Sequence, residues 1–234
     1  MLQEERSERS RSQILDAALK LFSHHGYGAT SVNDIAGEAG VSKGNVYHHF
    51  PDKETIFRAL LDQYFQAMTQ PDFPFNRALA SGTFPDNLEE LGRAARDAVA
   101  EWRQHVALIY VDVVEFDGTH IRKFYEDMAT RFDTFLKSHH IAPHLADGLS
   151  PTSAVMLATR IFFNYFSVEI IFGVKDHFGK QTDQVIAEIS RILRHGMTKR
   201  NVIPSVARDL GGRAGRKRRP SRRISPTDCR QRRR

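Results

Sequence analysis

Residues 42–49 read Ser-Lys-Gly-Asn-Val-Tyr-His-His, and six of these eight side chains carry hydrogen-bonding groups. Their types suit the edges and backbone of duplex DNA. An asparagine amide can bond adenine N6 and N7 together, and a lysine can reach guanine O6 and N7. Serine, tyrosine and histidine suit phosphate oxygens. The chemistry requires Lys43, Gly44, Asn45, Tyr47 and His48 to share the outer face of one helix, with Val46 turned inward. Gly44 then lets the backbone approach the groove wall. The residues ahead of this helix have the spacing that would hold it there. Ile35 and Ala39 lie on the inner face of a preceding helix, and Ala36 is small where the second helix must approach. Gly40 stands four residues on, where a tight turn needs positive φ. Val41 tucks beneath, and Val46 follows six residues after the glycine. This is helix-turn-helix spacing.

Such a pattern alone also fits tight helix pairs in structural bundles. Here independent signals agree with it. Thr30 or Ser31 can cap the first helix of the pair and Ser42 the second. The second ends in Tyr-His-His-Phe, and Pro51-Asp52 stops it before Lys53. The N-termini of the second and fourth helices, with Ser31 and Lys53 nearby, can point N–H groups at phosphates.

The elements that must position this segment are all helical. Apolar periodicity predicts nine helices and no convincing strand. They span about Ser10–His25, Ser31–Ala39, Ser42–His49, Lys53–Thr69, Asp86–Arg103, Gln104–Phe116, Thr119–Ser138, Thr152–Phe172 and Thr182–Gly196. Gly26 supplies the first stop. Pro71, Pro74, Gly82 and Pro85 predict a loose connection over 70–86. The helix at Thr152–Phe172 is apolar on more than one side, so it is expected to be buried on two faces, one of them against a partner subunit.

The charge is unevenly placed. The 234 residues carry a net +6, but residues 201–234 hold eleven arginines and Lys217 against Asp209 and Asp228. That tail carries +10 and leaves −4 on residues 1–200. Basicity therefore argues for nucleic acid only through the tail. The tail has three prolines, three glycines and no helical period, so it is expected to be disordered. It can add sequence-independent phosphate contacts; the plainer expectation is a dispensable extension to a body complete without it. One cysteine, Cys229, excludes an internal disulfide framework and a CxxC zinc site. No uncharged apolar run reaches the ~18 residues of a membrane span. The N-terminus has no apolar stretch after its charges, so the expected setting is soluble, reducing and cytoplasmic.

At TSVNDIAGEAGVSKGNVYHHFPDKETIF the sequence resembles the N-terminal domain of TetR-family (TetR/AcrR-type) transcriptional regulators. The resemblance is carried by Gly26-Tyr27, by DIAGEAGVSKGNVYHHF and by the acidic-Lys-Glu step that follows, and runs over about Arg9–Leu61. Beyond that it is one of helix order and size. It implies an all-α fold: a three-helix DNA-binding domain over 9–52, a helical ligand-binding and dimerisation domain over 53–200, and the tail over 201–234. It further implies a homodimer on a palindromic double-stranded operator, in most members a repressor, released by a small molecule. By position, Lys43, Asn45 and His48 become base-proximal. Tyr47, His49 and Lys53 become phosphate contacts, Ser31 and Ser42 caps that also touch phosphate, and Asn33 faces the groove edge. Asn45 stands where Thr or Ser is common in the family, which bears on operator sequence.

Other constellations are weaker. His24-His25 and His48-His49 lack further ligands, and His139-His140-Ile141-Ala142-Pro143-His144 reads as a polar helix end rather than a metal site. No metal and no cofactor is expected. No GxGxxG, GxxxxGK[ST] or HExxH occurs, and Glu115-Phe116-Asp117 reads as an exposed helix end, so no enzyme is expected. Within the C-terminal helices most aromatics at helical spacing are core. The family's effector cavity is expected among Trp102, His105, Tyr110, Tyr125, Met128, Phe162, Asn164 and Phe166. Asp112 and Glu169 are further polar candidates, with Asn164 ranked first. The competing reading is a non-specific DNA-binding protein driven by the arginine tail.

Overall fold

The computed structural model describes residues 2–81, 83–139 and 145–198. Among these residues are ten helices and no strand: α1 (Leu2–His25), α2 (Val32–Ala39), α3 (Lys43–His49), α4 (Lys53–Thr69), α5 (Pro74–Ser81), α6 (Leu88–Glu101), α7 (Arg103–Glu115), α8 (Thr119–Ser138), α9 (Pro151–Ile170) and α10 (Thr182–Met197). The expected all-α fold is observed. The tail at 201–234 lies outside the described residues, as does most of the His139–His144 stretch; the His139 ring stacks on Phe135.

Two elements differ from expectation. First, α1 begins at Leu2, eight residues before Ser10. Its first turns are built from Gln, Glu, Arg and Ser, mostly good helix formers. Glu4 and Glu5 in the first turn suit the positive end of the helix dipole. No apolar stripe marks these turns, so periodicity does not reveal them. Second, the expected loose connection contains α5. Pro74 opens it, a position where the missing N–H costs nothing. The helix buries Phe75, Ala78 and Leu79, and the Asn76 amide donates to the Met68 and Gln70 carbonyls at 2.8 Å each. Those two bonds tie α5 back onto the end of α4.

The apolar side chains form two cores. In the first, Ile14, Leu15, Ala18 and Phe22 of α1 pack on Ile35, Val46 and Phe50, and on Ile56, Phe57, Leu60 and Leu61 of α4. Leu108 of α7 and Ile121 of α8 close it. The second lies among α5, α6, α9 and α10, around Phe75, Leu79, Leu91, Phe162, Phe166, Val185 and Ile186. α4 thus contributes its first half to one core and reaches toward the other with Met68.

The second core is closest where α6 meets α9 and α10 at Gly92. A Cβ there would lie 2.8 Å from both Ile186 Cγ2 and the Phe162 ring, so only hydrogen fits without repacking. Gly92→Ala should destabilise the body despite alanine's better helix propensity. Overpacking of this kind costs about 1–3 kcal/mol, and each kcal/mol lowers Tm by roughly 2–4 °C in a chain of this size. Urea unfolding checks it, and an unchanged midpoint would show that the α6–α9 contact relaxes around a methyl group without cost.

Candidate nucleic-acid interface

Local chemistry sets α2, the turn and α3. Ser31 Oγ accepts from the Asp34 N–H at 3.2 Å, while the Asp34 carboxylate accepts the Ser31 N–H at 2.8 Å, a reciprocal capping box. The Ser31 bonds hold the Asp34 carboxyl below its ordinary range. Gly40 adopts φ 67°, ψ 29°, and the Val41 N–H reaches back to the Ala36 carbonyl at 3.0 Å. That left-handed turn is where a side chain would be strained. Ser42 Oγ accepts the Asn45 N–H at 3.1 Å, and Asp52 Oδ1 accepts the Thr55 N–H at 2.7 Å to start α4. Ile35, Ala36 and Val46 are buried.

With Val46 inward, Ser42, Lys43, Gly44, Tyr47 and His48 are exposed along the other side of α3, and Asn33 is exposed on α2. The Lys43 ammonium stands 6.0 Å from the Tyr47 ring centre. Asn45 and His49 are only half-exposed. The extra turns of α1 account for this: Gln3, Glu4, Arg6, Ser7 and Ser10 face Asn45, His48 and His49 across a cleft of about 590 Å³. Asn45 Oδ1 is buried there without a hydrogen-bond partner among the described residues. Burial, reinforced by the neighbouring His48, pushes the His49 pKa down.

Lys53, expected at phosphate, also makes contacts within the domain. Its ammonium donates to the Tyr27 and Thr30 carbonyls at 2.8 Å each and sits 3.9 Å above the Tyr27 ring. Two of its three donors are committed inside the domain. Glu115, at the end of α7, is engaged rather than bare: its carboxylate accepts the Tyr27 N–H at 2.8 Å and also the Gly28 N–H. The Tyr27 ring packs on Phe22, Phe57 and Phe116 at 4.6–5.5 Å between centres. Beside it, fully buried Asp112 lies 2.6 Å from His120 Nδ1 and accepts the Ile121 N–H, and His120 Nε2 approaches Glu54 Oε1 at 3.3 Å. Sequence reasoning missed this cluster. Glu54 and His120 lie 66 residues apart, and Tyr27 and Glu115 lie 88 apart, so no local spacing marks these pairs.

The expected effector residues separate into groups. Tyr110, Tyr125 and Asn164 line one cavity of about 430 Å³ among α4, α7, α8 and α9. Met128 lines an adjoining cavity of about 410 Å³. Trp102 and His105 border a third, shallow depression with Gln63, Gln66 and Gln70. Phe162 and Phe166 are core residues with no exposure. Asp112 is occupied by His120, and buried Glu169 accepts from the Thr182 hydroxyl at 3.1 Å, so both serve packing contacts. Among the described residues no group of three His, Cys, Asp or Glu side chains could hold a metal ion, and no helix is long and apolar enough to cross a membrane.

A capped helix-turn-helix within a three-helix N-terminal unit defines a class of DNA-binding domain. Residues 14–60 match the family of bacterial regulatory proteins, tetR family. The match covers this N-terminal domain alone. It is 34% identical to the HTH-type transcriptional regulator YuxN of Bacillus subtilis over 102 residues, 44% of this chain and 30% of YuxN. It is 46% identical to the HTH-type transcriptional repressor KstR2 of Rhodococcus jostii over 59 residues, 24% of this chain and 29% of KstR2. The chain thus spans under a third of the length of either relative. The crystal structure of the transcriptional regulator SCO4942 from Streptomyces coelicolor superimposes with a TM-score of 0.58 at 20% identity, over 80% of this chain and 98% of that one. At that identity the likeness is one of fold.

Two measurements probe this region. Glu115→Ala strands the Tyr27 and Gly28 N–H groups. Removing a charged acceptor costs about 1.5–3 kcal/mol, and its exposure places the loss at the low end. Urea unfolding reads it, with Glu115→Gln restoring part. Separately, burial lowers the His105 pKa to about 4 from the ordinary 6.5. Below pH 6.5 the unfolded chain takes up a proton that the folded ring resists, so this contribution is present above pH 6.5 and is lost as pH falls toward 4. Between pH 7 and 5 the wild type should lose about 1–2 kcal/mol more than His105→Phe; parallel profiles would remove His105 from the account.

Proposed function

We propose that the protein is a homodimeric, ligand-responsive transcriptional regulator, in the first instance a repressor, acting on DNA in the cytoplasm. The exposed row of Lys43, Gly44, Tyr47 and His48, on a helix capped by Ser42 and fixed from behind by Val46, carries this reading. α3 enters the major groove, with Lys43, Asn45 and His48 toward base edges. Ser31, Ser42, Tyr47 and His49 lie toward phosphates and Asn33 at the groove edge. The third Lys53 donor supplements these contacts. A two-fold dimer sets two α3 helices at the spacing of a pseudo-palindrome. Exposed Leu157 and Ile192, on α9 and α10, support a second copy packing on that side. A small molecule in the cavities bordered by Tyr110, Tyr125, Met128 and Asn164 that fits one spacing of the pair shifts the population and weakens operator binding. A coupling of about 1–3 kcal/mol changes affinity roughly 5–150-fold.

The +10 charge of residues 201–234 favours a second reading, in which the tail coats DNA without sequence preference. Selection of duplexes from a random pool, with the full chain and with residues 1–200, separates the two. A shared palindrome from both supports operator recognition. Loss of all binding on truncation supports the tail. On the selected site, Asn45→Ala should cost about 1–3 kcal/mol and relax preference at one base step. Equal losses on selected and random DNA would refute direct readout by Asn45.

A further inference from the structure

The cavities lined by Asn164 and by Met128 adjoin, because Met68, Phe124, Thr159 and Phe163 line both. Their remaining walls differ in chemistry. One chamber is walled by Phe73, Phe75, Met128, Phe132 and Phe135. The other gathers Tyr64, Tyr110, Tyr125, Arg160 and Asn164. Neither chamber is lined by any Asp or Glu. Arg160 and Asn164 are exposed at the mouth of this chamber; Arg160 lies 5.5 Å over the Tyr125 ring, and among the described residues no carboxylate pairs with it. An arginine without an acid, stacked on an aromatic and beside phenol and amide groups, fits a planar carboxylate. Arg131, 5.6 Å over the Phe124 ring, borders both the apolar chamber and a groove that holds Lys123 and Asp62. The Arg160 chamber thus gathers an arginine, phenols and an amide, while phenylalanine predominates among the large side chains of the other.

Resting on the effector reading above, we propose that the ligand is an amphipathic monocarboxylate. Its acid is held by Arg160, with Tyr125 and Asn164 as neutral donors, and its hydrocarbon body passes Phe124 and Phe163 into the phenylalanine chamber. A cationic amphiphile of the same length meets an arginine and no acid, so it is rejected. An alcohol keeps the apolar burial but loses the charged pair. Selectivity for the acid is then the signature of Arg160, and chain-length dependence that of the second chamber.

The chain has one tryptophan, Trp102, whose ring centre lies 5.7 Å from that of Tyr64 in the polar chamber, so its fluorescence reports binding without DNA. Full-length protein is titrated with dodecanoate, 1-dodecanol and dodecylamine. Dodecanoate should bind roughly tenfold or more tighter than dodecanol, the loss expected for one charged hydrogen-bonded contact, and dodecylamine weakest. Arg160→Gln should bring the acid to the alcohol's affinity and leave the alcohol within about twofold; Arg160→Lys should restore part of the preference. Equal binding of all three probes, or loss of the preference on Arg131→Gln instead, overturns the proposal. So does an Arg160→Gln protein that changes its sedimentation as an oligomer while keeping acid selectivity, since Arg160 would then face a second copy. Operator release by dodecanoate is measured in parallel. Selective binding without release supports the carboxylate site and counts against the effector reading alone.

Discussion

The loop Gly26-Tyr27-Gly28 is held from two sides, and the placement of α2 and α3 depends on that grip. Lys53 takes the carbonyls of Tyr27 and Thr30, while Glu115 takes the N–H groups of Tyr27 and Gly28. A backbone segment with its donors and acceptors satisfied by oppositely charged side chains has little freedom to shift. Glycine on either side of Tyr27 leaves room for this contact, since a Cβ at Gly26 or Gly28 would meet a Glu115 oxygen at 2.9 Å and the carboxylate would have to shift. Burial depresses the Lys53 pKa, and the Glu115 carboxylate partly offsets this. Thr30 directly precedes the Ser31 cap, so the angle at which α2 leaves this loop is set by α4 and α7 together.

This explains which parts of the fold could be read in advance. The caps at Ser31 and Ser42, the turn at Gly40 and the inward Val46 are contacts within six residues, and short-range rules of propensity and hydrogen bonding identify them. The long-range partners carry no such mark. Lys53 reads equally well as a phosphate ligand or a loop clamp, because a lysine near a helix start suits both. Glu115 in isolation is a charged helix end. Only the fold, by bringing residue 27 to residues 53 and 115, shows the clamp.

The same limit applies to the helices and the cavity. α5 was hidden because Pro74 and its neighbours look like loop punctuation, although proline at a first helical turn is a starting signal. The first two turns of α1 were hidden because they bury little and so show no stripe. Their effect reaches the site, where they shade Asn45 and His49. Among the effector candidates, Tyr110, Tyr125 and Asn164 share a cavity, but Phe162 and Phe166 have the same residue type and spacing as lining aromatics and are core. Which face of α9 points into a void depends on α6 and α8, and periodicity along one helix cannot supply it.

α4 links these two regions as one rigid body. Lys53 and Glu54 at its start belong to the loop clamp and to the His120 contact, while Tyr64 and Met68 near its end line the cavities. A helix rises about 1.5 Å per residue, so the two ends lie roughly 15–20 Å apart with no flexible joint between them. α8 repeats the arrangement: His120 at its start meets Glu54 and Asp112, and Phe124 and Met128 farther along wall the chambers. A ligand that wedges Phe124 must therefore either find room in the chamber or tilt α4 and α8. Tilt at that end strains the Lys53 and Glu115 bonds that set the departure of α2. On the proposed reading, the recognition helices of a dimer separate because these charged contacts tolerate little displacement before they break.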